Sequence, residues 1–353
     1  MRLRRHRGIA LAVTFALIGP APAAASQVHP PGLAPAAPGT SATRPHDGFS
    51  ASGPWNRPLP SKVPLAPNSA AVVKNIVRDM RRNFGTWALN TDKYSSPIFT
   101  AGPGTPARNW TYTNCQGIGD GHAIASSFAH VPTPRDLIAS RGTDKATAIY
   151  QPSTDTYWDF WRAHKNARGH WSACWGGKIT HYSSNPGIFA HPLGATATGL
   201  PLGAFVIRIS ELQHGKIDHA INLITVRTQA RCFSWPANRD DGNTKGGNIP
   251  CEGQRFRLNP HFNASKLYSP VARMVARALQ VYGAIITDKG GAVVTQAQDP
   301  RPYEARHRGV NPYPALLDPQ NRYPGYAQYI VLGEIPLRQL QALPLSYGKP
   351  GSR

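Results

Sequence analysis

Apolar residues return at helical spacing in only two stretches of this 353-residue chain; elsewhere they alternate or cluster between prolines and glycines. From Asn68 to Phe84, residues Val72, Val73, Ile76, Val77, Met80 and Phe84 share one helical face. Lys74, Arg78, Arg81 and Arg82 lie mostly on the other, and Gly85 is a stop signal. That pattern predicts an amphipathic helix over about 69–84. A second is predicted over about 270–282. Ser269 is a natural N-cap, and Pro270 suits the first turn, where its missing N–H has no partner to lose. Val271, Met274, Val275, Ala278, Leu279 and Tyr282 form its apolar face, and Gly283 ends it. Arg273 and Arg277 are expected to meet solvent.

The remaining sequence punctuates as strands and turns, with β-branched and aromatic runs between Pro and Gly. Strands are predicted near 146–151, 156–163, 171–182, 202–209, 217–226, 254–258, 284–288 and 292–298, with Lys289-Gly290-Gly291 as a hairpin turn between the last two. Many short strands and two good helices imply a mainly β protein, an antiparallel β-sandwich or jelly roll with two peripheral helices.

The N-terminus changes the picture of compartment. MRLRRHR, the apolar run Gly8 to Leu17, and Ala23-Ala24-Ala25 before Ser26 have the order of a secretory signal peptide, residues 1–25. The apolar run is far shorter than the roughly 20 residues of a membrane-spanning helix. Arg4-Arg5 lacks the continuation expected of twin-arginine export, which leaves Sec export. Residues 26–53 are rich in Pro and Ala and read as a disordered tether, and 54–345 as a single secreted domain. The expected product is an extracellular monomer with no transmembrane segment after cleavage.

Four cysteines, Cys115, Cys174, Cys232 and Cys251, all lie in the exported part. An even count in an oxidising compartment argues for two disulfides, with three pairings open. Cys232 and Cys251 flank the loop-like segment NRDDGNTKGGNIP, so a bridge between them would staple it; this favours that pair and leaves Cys115 with Cys174. The close spacing of a structural zinc site is missing, and the residues imply neither metal nor cofactor.

The formal charge is +21, and losing the arginines at positions 2, 4, 5 and 7 takes it to +17. Such a field attracts anionic partners, among them uronate-bearing polysaccharides, nucleic acid and acidic membranes. Nucleic acid is the weakest of these, because a secreted protein seldom meets it.

The blocks PWNRPLP, APNSAAVV, YQPSTDTYWDFWRA, GHWSACWGG, GKIDHAINL, SWPANRDDGN, CEGQRFRLNP and ALQVYGAIITDKGG carry a family likeness over nearly all of Trp55 to Gln298. They resemble a family of secreted actinobacterial proteins for which no activity is established. The resemblance implies an extracellular single-chain protein and brings no catalytic residues with it.

Candidate chemistry concentrates between Tyr150 and Trp175. Strand alternation puts Tyr157, Asp159 and Trp161 on one face and Thr156, Trp158 and Phe160 on the other. Rings around a carboxylate suit a sugar, with Trp171, Trp175, Arg162 and Arg208 as further binding candidates. The alternative is burial on both faces, with Asp159 tied to Arg162 or to a backbone group. In GKIDHAINL, alternation sets His219 with Ile217, Ile221 and Leu223, and Asp218 with Asn222. Asp120-Gly121-His122, with His130 beyond, could supply a histidine and a carboxylate from one turn. Asp240 and Asp241 could bind calcium with Asn238 and Asn243, though not at EF-hand spacing.

No phosphate loop, HExxH helix or Gly-x-Ser-x-Gly elbow is present. The expectation is a carbohydrate-active protein working on an anionic polysaccharide. Hydrolysis would use Asp159 with Asp218 or Glu211. Elimination would use His122, His219 or Tyr157 as base, with Arg162 or Arg208 neutralising a uronate. The rival is a non-catalytic binder of glycan or cell envelope.

Overall fold

The computed structural model describes residues 49–119, 121–316 and 329–351. The predicted signal peptide, most of the predicted tether and Asp120 lie outside the described residues. All described residues belong to one compact unit, His46–Arg353. Phe49, which composition placed in the tether, is buried with its ring against Trp55, Tyr157 and Tyr182.

The two long helices form where the periodicity placed them, at Ser69–Asn83 and Pro270–Val281. Ser269 Oγ accepts the Ala272 N–H at 3.2 Å and caps the second helix. Gly85, at φ 82°, takes the left-handed conformation that ends the first. Val72 and Ile76 of the first helix and Val271, Val275 and Leu279 of the second share a core with Leu223, Phe256, Leu258 and Ile286 of a seven-stranded sheet. Each such side chain contributes roughly 1.5–3 kcal/mol on leaving water, and this fixes the helices to the sheet.

The large sheet runs Tyr329–Val331, Ala88–Asn90, Val294–Gln296, Ile221–Thr225, Ala284–Lys289, Arg255–Leu258, Leu340–Ala342. A four-stranded sheet runs Trp175–Thr180, Thr156–Trp161, Thr147–Gln151, Ile98–Thr100. Sheets with few long helices are thus what the punctuation predicted. The purely antiparallel arrangement is corrected: Ala88–Asn90 pairs parallel with Val294–Gln296, Ile221–Thr225 with Ala284–Lys289, and Ile98–Thr100 with Thr147–Gln151. Neither sheet closes on itself.

Two local expectations also change. Ala284–Lys289 and Val294–Gln296 are not a hairpin, because Ile221–Thr225 lies between them and pairs with both. The segment 202–209 is not one strand: short helices at Leu202–Phe205 and Ile209–His214 flank an extended stretch, 206–208, in which Ile207 bridges to Ala297. Side chains satisfy the first N–H groups that these turns expose. Asp159 accepts from Leu202, Tyr157 Oη accepts from Gly203, and Glu211 accepts from Arg208.

The small sheet has a different filling on each face. Tyr157, Ala148, Tyr150 and Ile179 share a cluster with Ile285 of the large sheet. Trp158, Phe160, Ile149 and Trp175 join Trp110, Phe128 and Trp171 on the other side. There Trp110 stacks between Phe160 and Trp171, with centroids at 4.3 and 4.9 Å. Both favoured disulfides form, Cys115–Cys174 and Cys232–Cys251, each with Cα atoms 5.2 Å apart. Among the described residues, no helix is long and apolar enough to cross a membrane.

Candidate functional site

The aromatic strand does not present the open face that alternation predicted. Asp159 has no solvent exposure, and Tyr157 and Phe160 are buried with it. Trp161 stands at the strand's end, where the chain turns through Arg162 at φ 53°, and packs toward the tryptophan layer rather than beside Tyr157. Its indole donates to Asp144, and the Arg162 guanidinium lies 4.6 Å over its ring. Trp171 and Trp175 are core residues, and the Trp175 indole donates to the Pro192 carbonyl.

Asp159 is tied to backbone groups rather than to Arg162. Its carboxylate accepts from Ala195 N at 2.9 Å and Leu202 N at 3.0 Å, and from Tyr157 Oη at 3.3 Å. Burial pushes its pKa up to about 7, against the pull of those donors. Tyr157 is held well above its ordinary value by burial and then by Asp159. The bonding continues outward: Tyr157 Oη accepts from Gly203 N, and the Gly203 carbonyl accepts from Arg208 Nη2 at 2.8 Å. A buried carboxylate therefore anchors the turn that holds Arg208.

Arg208, itself 9% exposed, carries this chain of hydrogen bonds to the floor of a cleft. It lines a cleft of about 330 Å³, together with Ile98, Thr100, Tyr150, Tyr157, Tyr182, Ile209, Ser210, Gln213, Gln298, Tyr303 and Arg306. Tyr182 packs on Tyr150 and Tyr157, with centroids 4.5 and 5.2 Å away, so a tyrosine cluster makes the inner wall. Gln213 of the Ile209–His214 helix donates to the hydroxyl of Tyr303, in the Arg301–Arg306 helix. Both charged lining groups are arginines, and no carboxylate is among the lining residues.

The other predicted acid–base candidates gather beside this cleft or far from it. His219 precedes its strand, which begins at Ile221, and is 8% exposed. Its Nε2 meets Glu211 Oε2 at 3.1 Å and its Nδ1 meets the Ala220 carbonyl at 2.8 Å. Burial lowers the His219 pKa, but the Glu211 charge and hydrogen bond outweigh it and the net shift is upward. Glu211 answers in kind: burial raises it, His219 pulls it down, and it ends below its ordinary value. The two form a hydrogen-bonded acid–base pair, and neither lines the cleft. Asp218 pairs with Lys216 at 2.9 Å and accepts from Tyr282. His122 is exposed in the short Gly121–Ala125 helix and lines no cleft described here.

The calcium candidates rearrange. Asp241 meets two acids from outside that loop set: its carboxylate lies with those of Glu252 and Asp288, with ligand atoms all within 4.8 Å. Glu252 is fully buried, accepting from Thr228 Oγ1 at 3.0 Å, and Lys289 Nζ pairs with Asp241. Burial and then the neighbouring carboxylates push Glu252 up to about 8 and Asp288 up to about 7. These three oxygen donors are the residues that could hold a hard cation.

The cleft's Tyr150, Tyr182, Tyr303 and Arg306 and the acids Glu252 and Asp288 escaped sequence reasoning. The run RPYEARHR from Arg301 carries an aromatic among cations and was the available signal for two of them. Comparison of the chain with protein-family models, curated proteins and solved structures finds no match in any of the three.

Proposed function

We propose that this is a secreted protein, of the actinobacterial kind its sequence blocks resemble, that binds an anionic saccharide in the tyrosine-walled cleft. The observation that carries the proposal is the cleft's lining: Arg208 and Arg306 are its charged groups, set among Tyr150, Tyr182 and Tyr303, with Ser210, Gln213 and Gln298 as hydrogen-bonding partners. Arginine matches a carboxylate or sulfate geometrically, and aromatic rings offer apolar contact to sugar C–H groups. The two disulfides fit an oxidising compartment.

Binding is favoured over catalysis. Hydrolysis needs two carboxylates flanking the scissile bond, and none lines the cleft. Tyr157, the lining residue nearest in kind to an elimination base, has a raised pKa and an engaged hydroxyl. Calorimetry against a panel of uronate, sulfated and neutral oligosaccharides tests the proposal. Binding of an anionic sugar, weakened about tenfold or more by Arg306→Ala as expected for a charged hydrogen bond, supports it. An absence of binding, or release of unsaturated or reducing-end product, overturns it.

A further inference from the structure

The Arg301–Arg306 helix contributes to more than one opening. Tyr303 and Arg306 line the tyrosine cleft, while Arg301 lines a second, more open one of about 360 Å³. The polar wall of this second opening is Lys145, His164, Lys165 and Arg301, and its apolar wall includes Leu137 and an edge of Trp171. Again no carboxylate is among the lining residues. Neither lysine ammonium is paired with a carboxylate among the described residues. The nearby acids are engaged: Asp299 holds the Arg301 guanidinium, and Asp144 accepts from the Trp161 indole. Arg301 Nη2 also donates to the Ala139 carbonyl, tying the helix to the segment that forms the second wall.

We propose that the second opening is a further anion subsite, and that a linear polyanionic saccharide crosses the Arg301–Arg306 helix with acidic residues in both openings. This rests on the reading of the tyrosine cleft given above. The helix is six residues long, so its terminal arginines stand about 8 Å apart along the axis at 1.5 Å per residue. Asp299 compensates the Arg301 charge, so the positive field of the second opening comes from Lys145 and Lys165. The short helix keeps the two openings within about a Debye length along its axis. Asp136 lies 3.7 Å from Arg306, but both side chains are about half exposed and the pair is weak enough for a ligand anion to displace it. Occupying two openings with one chain makes the second contact intramolecular, and affinity then rises with chain length.

The test compares a uronate disaccharide with an octasaccharide, titrated into the wild type, into Arg306→Ala, and into the double variant Lys145→Ala/Lys165→Ala. Both lysines are exposed, so the double variant is expected to fold, which near-UV circular dichroism checks. The octasaccharide should bind the wild type at least about tenfold more tightly than the disaccharide. The lysine variant should abolish that gain and flatten the salt dependence while leaving disaccharide affinity unchanged. A length dependence untouched by the lysine variant overturns the subsite and leaves the tyrosine cleft standing. Lysine-sensitive binding that ignores Arg306→Ala supports the second subsite and overturns the crossing together with the reading of the first cleft. No binding of either sugar overturns both proposals. Single-stranded DNA of equal charge binding as tightly as the octasaccharide overturns the saccharide as occupant.

Discussion

Two regions of this protein bury acid groups by different means. Asp159 is alone, and two backbone N–H groups and a tyrosine hydroxyl donate to its carboxylate. Asp241, Glu252 and Asp288 face one another, with one ammonium on Asp241 and one hydroxyl on Glu252 among their donors. Burial raises the acids in both places, Asp159 to about 7, Glu252 to about 8 and Asp288 to about 7. The consequence differs. Fixed donors let Asp159 work as a tie that holds a loop whether or not it is fully ionised. The triad also has backbone donors, from Asp241 to Glu252 and from Lys289 to Asp288. Its carboxylates still repel one another, and keeping a proton or accepting a cation relieves that repulsion.

Arg239 is the group on which the comparison turns, because both Asp159 and Glu252 act on its charge. Its guanidinium donates to the carbonyls of Pro192, Leu193, Gly194, Thr196 and Ala197, the loop whose far end Asp159 holds. Arg239→Ala should therefore have the largest effect, a loss of about 3–5 kcal/mol in urea unfolding, since it strands buried carbonyls and two acids at once. A loss below about 1 kcal/mol would mean that water replaces the guanidinium and that the loop does not depend on it.

Asp159→Ala comes next, at about 2–3 kcal/mol, because it leaves buried donors without an acceptor. Asp159→Asn keeps one acceptor oxygen and should cost about half as much. Equal costs for the two variants would show that the negative charge, rather than the acceptor geometry, is what the loop needs.

Glu252→Gln should assign the pH dependence to one of the two regions, since the acids of both are raised. A carboxyl whose folded pKa lies above its unfolded value favours the protonated fold, so its contribution is greatest below the unfolded value. That contribution is lost as pH rises through the folded one. With Glu252 at about 8 and Asp288 at about 7, the melting temperature should fall between pH 5 and pH 8. Glu252→Gln should flatten most of that fall and cost little at pH 8. A pH profile unchanged by Glu252→Gln would place the titration elsewhere, with Asp159 the next group to test.

The smallest effect is expected from Lys289→Ala. Its partner Asp241 is half exposed, and solvent screening holds such a pair to about 0–1 kcal/mol. Its use is in the pH profile, where loss of the ammonium should move the triad's midpoint upward. A downward shift would show that Lys289 does not support the ionised form.

Much of the scaffold could be read from local pattern. The spacing of Val72, Ile76 and Met80, and the Ser269-Pro270 start, specify helices through neighbours three or four residues away. The Cys232–Cys251 bridge followed from the composition of the loop between them. The candidate site was less legible. Asp159 was recognised as notable, but alternation says only which residues share a face, not whether another layer covers it. The segment 202–209 looked extended because its apolar run fits a strand. What supports a helical turn at Leu202–Phe205 is acceptors supplied from Asp159 and Tyr157, more than forty residues earlier.

What the sequence determined by itself was the set of features with short range: two helices, the aromatic strand and its alternation, the disulfide partners, and the excess of positive charge. Tertiary structure decided which strands are neighbours, placing Ile221–Thr225 between two strands that adjoin in sequence. It also decided which acids meet, bringing Asp241 to Glu252 and Asp288. The same packing set Arg208 and Arg306, 98 positions apart in the chain, in one cleft with three tyrosines from the small sheet and its flanking turns. Periodicity encodes the direction in which a side chain leaves its own element. The surface that receives it belongs to another part of the chain, and only the packing of the whole domain brings the two together.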